Sequence, residues 1–214
     1  YCVNLYYFCP MKKLFILGIC LLLTSCFEIT EKIKHNSNQN GDYSLVIDFS
    51  NSWLKTKSAI LLEEVDGVSI PNEEDIKSKL AQFRADASKI KGTSKISTSY
   101  DFNTYVFKIN FSYNSIETLN AVLNTIDKKN SLIHFKNNNG RFERIASYPL
   151  PKDLAKKEDK KEDLLKANIT AVYTFDKDVA TVQNPNAKLS KSKKTVFLKQ
   201  NIWNVLNINK LINN

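Results

Sequence analysis

The sequence predicts an α+β fold, in which an antiparallel sheet of about six to nine strands packs two main helices against one face. In residues 105–113 every second position is aromatic or aliphatic (Tyr105, Phe107, Ile109, Phe111 and Tyr113), with Val106, Lys108, Asn110 and Ser112 between them, which is the pattern of an amphipathic strand. Between Ile76 and Ile90, apolar residues recur at spacings of four and three, which indicates a helix with one buried stripe. Strand groups and helices follow one another along the chain in the order typical of this class.

The first two strands are predicted to form an antiparallel hairpin. The segment 27–35 places apolar side chains on one face, with Glu31 interrupting them. The Asn-Gly-Asp sequence at 40–42 is a hairpin signal, and residues 43–49 alternate as a second strand. The following segment, 52–64, is rich in apolar residues without a clear period, so it could be a short helix or an irregular strand.

Two helices frame the alternating strand. The first begins at Asn72, an N-cap residue followed by three acidic residues, and Gly92 fits its C-terminal stop. A strand at 95–100 and a turn at 101–104 come next. Asn114 and Glu117 form a capping-box-like pair for the second helix. The apolar stripe of that helix consists of Ile116, Leu119, Val122, Leu123 and Ile126.

The last third of the chain returns to strands after a charged segment. A hairpin is predicted between 132–135 and 141–148, across an asparagine-rich turn. The segment 150–167 is rich in charge of both signs, and we expect a solvated helix or a flexible insertion on the surface; a partner-docking arm is the alternative. Further strands and a short terminal amphipathic helix are expected at 169–175, 179–182, 195–198 and 202–212.

The N-terminal residues have the features of a secretory signal. Met11-Lys12-Lys13 precede an apolar run, 14–23, of about ten residues, whereas a membrane-spanning helix needs about 20. The run ends in Leu23-Thr24-Ser25-Cys26, which looks like the lipobox of bacterial lipoproteins. That resemblance implies diacylation of the Cys26 thiol, cleavage before Cys26 and acylation of the new amino terminus.

The signal divides the chain into three parts. We expect residues 1–10 to be non-native residues translated from upstream of the natural start at Met11. Residues 11–25 would be a lipoprotein signal peptide, and 26–214 a single α+β domain. The lipid on Cys26 would attach the protein to the cell envelope, and we predict the outer membrane, facing the periplasm. Of the four cysteines only Cys26 would remain, so no disulfide or cysteine site is expected.

Two stretches carry a resemblance to small uncharacterised lipoproteins of Bacteroidetes-type bacteria. The first is Cys26-Phe27-Glu28-Ile29, an Asn-Gly turn and a strand ending in Asp48-Phe49-Ser50. The second is Tyr173-Thr174-Phe175-Asp176, then Val179, Asn184, Ala187, Leu189-Ser190 and Lys194-Thr195-Val196. The resemblance implies an α+β lipoprotein, and it carries over no active-site residues.

The sequence contains no recognisable catalytic, metal or cofactor motif. The two histidines, His35 and His134, lack the spacing of a metal site, and each is interpreted as a surface or strand residue. No nucleophile motif and no glycine-rich phosphate loop is present. The net charge of +9 comes from lysines spread along the chain, and with a secretory signal this argues against a nucleic-acid partner. We therefore predict no enzyme activity, no cofactor and no metal.

The strand aromatics suggest a binding surface. Core packing is the ordinary interpretation of such a strand, and a sheet curled around an apolar ligand is the alternative. On the second interpretation the ligand-facing residues would be Tyr105, Phe107, Ile109, Phe111 and Tyr113.

Three functions remain open at this point. The leading hypothesis is a membrane-anchored, non-catalytic binding or envelope-maintenance module whose partner is a lipid or an envelope protein. The second is an envelope glycan hydrolase that uses the acidic cluster of Glu63, Glu64 and Asp66, since paired carboxylates serve glycoside hydrolysis. The third is a structural subunit of an envelope complex.

Overall fold

A seven-stranded sheet forms the centre of the computed structural model, which describes residues 27–65, 68–127, 132–146 and 160–211. The strands in these ranges are β1 Glu28–His35, β2 Gly41–Asp48, β3 Glu64–Val65, β4 Val68–Ser69, β5 Thr93–Asp101, β6 Val106–Tyr113, β7 Phe135–Asn138, β8 Arg141–Arg144, β9 Asn168–Phe175, β10 Lys188–Leu189 and β11 Thr195–Asn201. The helices there are α1 Trp53–Leu62, α2 Glu73–Ala87, α3 Ile116–Asp127, α4 Lys161–Lys166 and α5 Ile202–Leu211. A 3-10 turn, Ser50–Ser52, precedes α1.

The strand order in the main sheet is β10-β11-β9-β1-β2-β6-β5, and β3–β4 and β7–β8 form two separate ribbons. The predicted α+β class is confirmed, and seven strands fall within the predicted number. The sheet is mixed rather than antiparallel, because β1 pairs in parallel with β9, from Glu28 opposite Asn168 to His35 opposite Phe175. The alternation that predicts a strand carries no information on the direction of its neighbour, so the sequence pattern missed this pairing.

One face of the sheet is apolar and covered. Ile33, Tyr43 and Phe111 are neighbours across three strands and are buried against α2 and α3. The opposite face is polar, and Lys32, Lys34 and Lys108 are exposed on it. The division follows from the period of two along each strand, which sends alternate side chains to opposite faces.

A second apolar cluster lies where α4 and α5 meet the sheet. Its buried members are Leu164, Ala167, Ile169, Ile202 and Leu206. The prediction of two main helices is therefore wrong, because five helices occur in the described ranges and α4 and α5 bury a cluster of their own. Most of the predicted charged insertion, 150–167, lies outside the described residues, while its final part contains α4.

Helix α2 confirms its predicted start and ends earlier than expected. Asn72 accepts a hydrogen bond from the Asp75 amide, and the Asp75 carboxylate accepts one from the Asn72 amide, which is a capping box. The helix ends at Ala87, and a turn containing Gly92 with φ +93° then leads into β5. In α3 the Ser115 hydroxyl oxygen accepts a hydrogen bond from the Thr118 amide, so the N-cap is Ser115, one residue after the predicted Asn114.

The remaining predictions are mostly confirmed, with shifted boundaries. The hairpins β1–β2 and β7–β8 form, but the first turn spans 36–40 and Gly41 lies inside β2. A Cβ at Gly41 would lie 2.1 Å from the Lys34 carbonyl oxygen and 2.5 Å from the Tyr113 hydroxyl. Glycine is therefore needed at this position because a side chain would collide with both groups. The undecided segment 52–64 contains α1, and 179–182 is not a strand.

Candidate functional site

A groove of about 940 Å³ lies on the helix-bearing face of the sheet, beside the part covered by α2 and α3. Strands β9 and β11 form its floor, the β7–β8 hairpin forms one wall, and the segment 176–187 forms the other. Among the described residues its apolar lining includes Phe142, Ala171, Tyr173, Phe175, Val196 and Leu198. We call this feature the groove.

The floor of the groove follows from the alternation in β9. Ala171, Tyr173 and Phe175 occupy alternate positions and point to the same face. Strand β11 pairs antiparallel with β9 and sets Leu198 opposite Ala171. Helices α2 and α3 lie on this same face but pack over β5 and β6, near the opposite edge of the sheet. The apolar surface of β9 and β11 is therefore only partly covered.

The hairpin wall is held in place by its turn and by aromatic contacts. Asn139 and Gly140 both have positive φ, +51° and +82°, which suits the two-residue turn that joins β7 to β8. The ring of Phe142 lies 5.8 Å from Tyr173 and 5.6 Å from Phe175, measured between centroids, in edge-to-face geometry. The wall therefore packs directly on the floor.

A buried carboxylate lies behind the groove, where Glu31 is 1% exposed. The Tyr173 hydroxyl donates to Glu31 Oε1 at 2.5 Å, and the Tyr43 hydroxyl donates to Oε2 at 3.2 Å. Arg144 donates from Nε to Oε1 at 3.2 Å and from Nη2 to Oε2 at 3.4 Å. Its Nη1 also donates to the Ala146 carbonyl. Glu31 thus ties the floor strand, the central strand and the hairpin wall together.

His35 forms a second polar network at the end of β1. Its Nε2 lies 2.9 Å from the Asn137 amide nitrogen, and its Nδ1 lies 3.0 Å from the Tyr113 hydroxyl. Because an amide nitrogen donates, Nε2 accepts and Nδ1 carries the proton of a neutral ring. Burial lowers the pKa of His35, and the charge of Asp176 offsets part of that effect. Burial also raises the pKa of Tyr113, with a smaller contribution from Asp42.

The rim of the groove is polar. Asp176 accepts hydrogen bonds from the Ser37 amide at 3.0 Å and from the Ser37 hydroxyl at 2.8 Å. These bonds hold the pKa of the Asp176 carboxyl below its usual value. Arg141 donates to the Gln183 side chain at 2.7 Å and so links the two walls across the groove. The combination of an apolar floor and a polar rim is suited to binding an elongated ligand with an apolar part.

The five strand residues predicted to face a ligand lie elsewhere. Phe111 and Tyr113 belong to the core cluster, and Ile109 packs against it. Phe107 is half-buried, and Tyr105 lies in the turn before β6 with φ +56° and a buried side chain. None of the five lines the groove in the described part of the chain. For Ile109, Phe111 and Tyr113 the contacts are core packing, which was the ordinary interpretation.

The other predicted residues lie on the surface or outside the described residues. Glu63 ends α1 with φ +56° and is exposed, and Glu64 is exposed in β3. Asp66 and the lipid-attachment residue Cys26 are outside the described residues. Both histidines are buried, which excludes the surface interpretation; His35 ends strand β1, as the strand interpretation expects, whereas His134 precedes β7 and its Nε2 lies 3.1 Å from the Asn124 side-chain oxygen.

Sequence reasoning missed the groove because its residues come from four separate segments. The alternation of Tyr173 and Phe175 was visible, as was the interruption of the β1 face by Glu31. Glu31 was the useful signal, since a carboxylate on a buried face needs partners. The identity of those partners depends on the pairing of β1 with β9, which no local pattern contains.

No group of three or more histidine, cysteine, aspartate or glutamate side chains is arranged for a metal ion within the described ranges. In those same ranges no helix has the length and apolar character needed to cross a membrane. Comparisons with protein-family models, with curated proteins and with solved structures find no match.

Proposed function

We propose that this chain is a bacterial envelope lipoprotein, attached through lipid on Cys26, whose domain is a non-catalytic binding module. The observation that carries the proposal is the groove, with Tyr173, Phe175 and Leu198 on its floor. Its ligand is a lipid or another molecule with an apolar part; an apolar segment of an envelope protein is the alternative. The outer membrane, facing the periplasm, is the proposed location.

Three features support this proposal. Strand β1 begins at Glu28, so the folded domain starts two residues after the lipid-bearing cysteine and stays close to the bilayer. A groove of about 940 Å³ falls in the size range of small-molecule sites, about 300–1,000 Å³. Glu31 has its oxygens occupied by hydrogen bonds from Tyr43, Tyr173 and Arg144, which suits a structural role better than proton transfer.

The anchor is tested with Cys26→Ala in the expressing bacterium. The wild-type chain should incorporate radiolabelled palmitate and remain in the membrane fraction, because two or more acyl chains hold a protein stably. The variant should lose the label, and it should stay unprocessed at the signal. A label that persists in Cys26→Ala contradicts the lipobox interpretation.

The groove is tested with Leu198→Trp, which adds bulk on its floor. We expect native mass spectrometry of the gently extracted wild-type protein to show a bound apolar ligand, and we expect Leu198→Trp to lose it with little change in melting temperature. Ile109→Trp is the matched control, because it overpacks the core and should cost about 1–3 kcal/mol while the folded fraction keeps the ligand. A wild-type protein without ligand, or equal occupancy in Leu198→Trp, argues against the proposal.

A further inference from the structure

Helix α1 presents an apolar surface to solvent. At 100° per residue its outward arc contains Trp53, Leu54, Lys57, Ser58, Leu61 and Leu62. The four apolar members of this arc are 48%, 44%, 73% and 69% exposed, respectively. The inward arc buries Ile60 and half-buries Lys55, Thr56 and Ala59. A surface helix of a globular domain normally has the reverse arrangement, with the apolar stripe inward. We call the four exposed apolar residues the α1 patch.

The α1 patch lies at the end of the sheet where the chain enters from Cys26. Glu28 pairs with Asp48, so the start of β1 and the end of β2 are at the same end of the sheet. The rings of Phe27 and Phe49 lie 5.3 Å apart between centroids, and α1 begins four residues after Phe49. The Lys55 ammonium lies 2.9 Å from the Asp163 carboxylate, which fixes α1 against α4 at this end.

Two other exposed apolar side chains lie at the same end of the sheet. Leu165 on α4 is 41% exposed, and β9 begins just beyond it, opposite Glu28. Tyr100 is 47% exposed at the end of β5, next to the pair of Asp101 with Val106. Helix α1 contains two lysines and no acidic residue, while Glu63 and Glu64 follow it. Because these two positive and two negative charges balance, apolar contact rather than charge would drive binding of the α1 patch.

We propose that the α1 patch inserts into the interface of a phospholipid bilayer. The proposal deepens the proposed function, because lipid on Cys26 is what places this end of the domain at the membrane. Interfacial helices bury their apolar face at the boundary between headgroups and acyl chains, and tryptophan is enriched at that depth. A lipid anchor next to β1 would hold α1 at a high effective concentration at the bilayer surface. A low intrinsic affinity of α1 for lipid is then sufficient to keep the helix inserted.

The test uses the full acylated chain reconstituted in vesicles of phosphatidylethanolamine and phosphatidylglycerol. Trp203→Phe leaves Trp53 as the single tryptophan, because the chain has two. In vesicles with brominated acyl chains, Trp53 emission should shift to shorter wavelength and be quenched. Leu61→Asp combined with Leu62→Asp should move the equilibrium away from insertion by at least about tenfold, and so relieve the quenching.

The matched control is Leu189→Asp combined with Phe197→Asp, which replaces two exposed apolar residues on strands β10 and β11 at one edge of the sheet. It should leave the quenching unchanged, and circular dichroism should show that both double variants fold. Trp53 that stays unquenched in vesicle-bound protein overturns this inference alone, and so does a blue shift without bromine quenching, which indicates that Trp53 is buried against a second copy of the chain. Quenching of Trp53 in protein that the expressing bacterium produces without palmitate overturns lipid attachment alone. A chain that does not float with vesicles overturns both proposals.

Discussion

Glu31 connects residues that the sequence keeps far apart. It breaks the apolar face of β1, and its carboxylate receives hydrogen bonds from Tyr43 in β2, Tyr173 in β9 and Arg144 in β8. A buried charge of this kind is tolerated because its partners replace water, and removing one partner leaves the others desolvated without compensation. Glu31 therefore holds the hairpin wall of the groove in position rather than forming part of its surface.

We predict that Glu31→Ala lowers the free energy of unfolding by about 3–5 kcal/mol, because Arg144 and two phenols lose their acceptor. Urea denaturation measures this directly. The matched control is Glu28→Ala in the same strand, where the carboxylate is 44% exposed and lies 3.6 Å from the exposed Lys199 ammonium. That change should cost about 1 kcal/mol or less. Equal losses in the two variants would mean that Glu31 is not the centre of a buried network.

Single residues were predictable where the signal is local. The Asn72 cap was found because the capping residue and the acidic first turn are adjacent in sequence. The cap of α3 was placed one residue early, since Asn114 and Ser115 are both good capping residues and only the backbone geometry distinguishes them. Tyr105 continues the alternation of β6, yet its backbone lies in a left-handed turn. The sequence pattern could not show this, because a positive φ does not change the order of apolar and polar residues.

At the level of elements, burial decided which segments could be predicted. Strand β6 and helix α3 have one buried face and one open face, so their periods are clear. Helix α1 was undecided because apolar residues occur on both its inward and outward arcs, which removes the period of 3.6. Helix α4 lies in a segment for which a solvated helix was one of two expectations, and the burial of Leu164 was missed because charged residues surround it in the sequence.

Helix α4 gives a prediction from two adjacent leucines. Leu164 is 5% exposed inside the second cluster, and Leu165 is 41% exposed. Leu164→Ala should lower the free energy of unfolding by about 2–4 kcal/mol through lost burial and a cavity. Leu165→Ala should change it by no more than about 0.5 kcal/mol. Thermal or urea unfolding compares the two, and a similar small effect of both changes would show that α4 does not contribute to the core.

At the level of the whole molecule, the feature that the sequence did not predict is the parallel pairing of β1 with β9. The α+β class followed from the order of elements, whereas the mixed sheet depends on one parallel pairing between the first and ninth strands. The groove depends on the same pairing, because β9 and β11 extend the sheet beyond the part that α2 and α3 cover. Local patterns specify which face of a strand is buried, but its partner is chosen by the packing of the complete chain.

The β1–β9 pairing also predicts how the domain unfolds. All eight residues of β1 pair with β2 on one side and with β9 on the other, so the two halves of the sheet share a fully paired central strand. Opening β9 would expose that strand together with Ile169 and Ala171, which are buried. We expect the slowest-exchanging amides of β1, β2 and β9 to share one free energy of opening, equal to the free energy of global unfolding. The two-residue strands β3 and β4 should exchange at lower free energy. Native-state hydrogen exchange at increasing denaturant tests this, and a lower plateau for β9 and β11 than for β1 and β2 would show that the sheet unfolds in two steps.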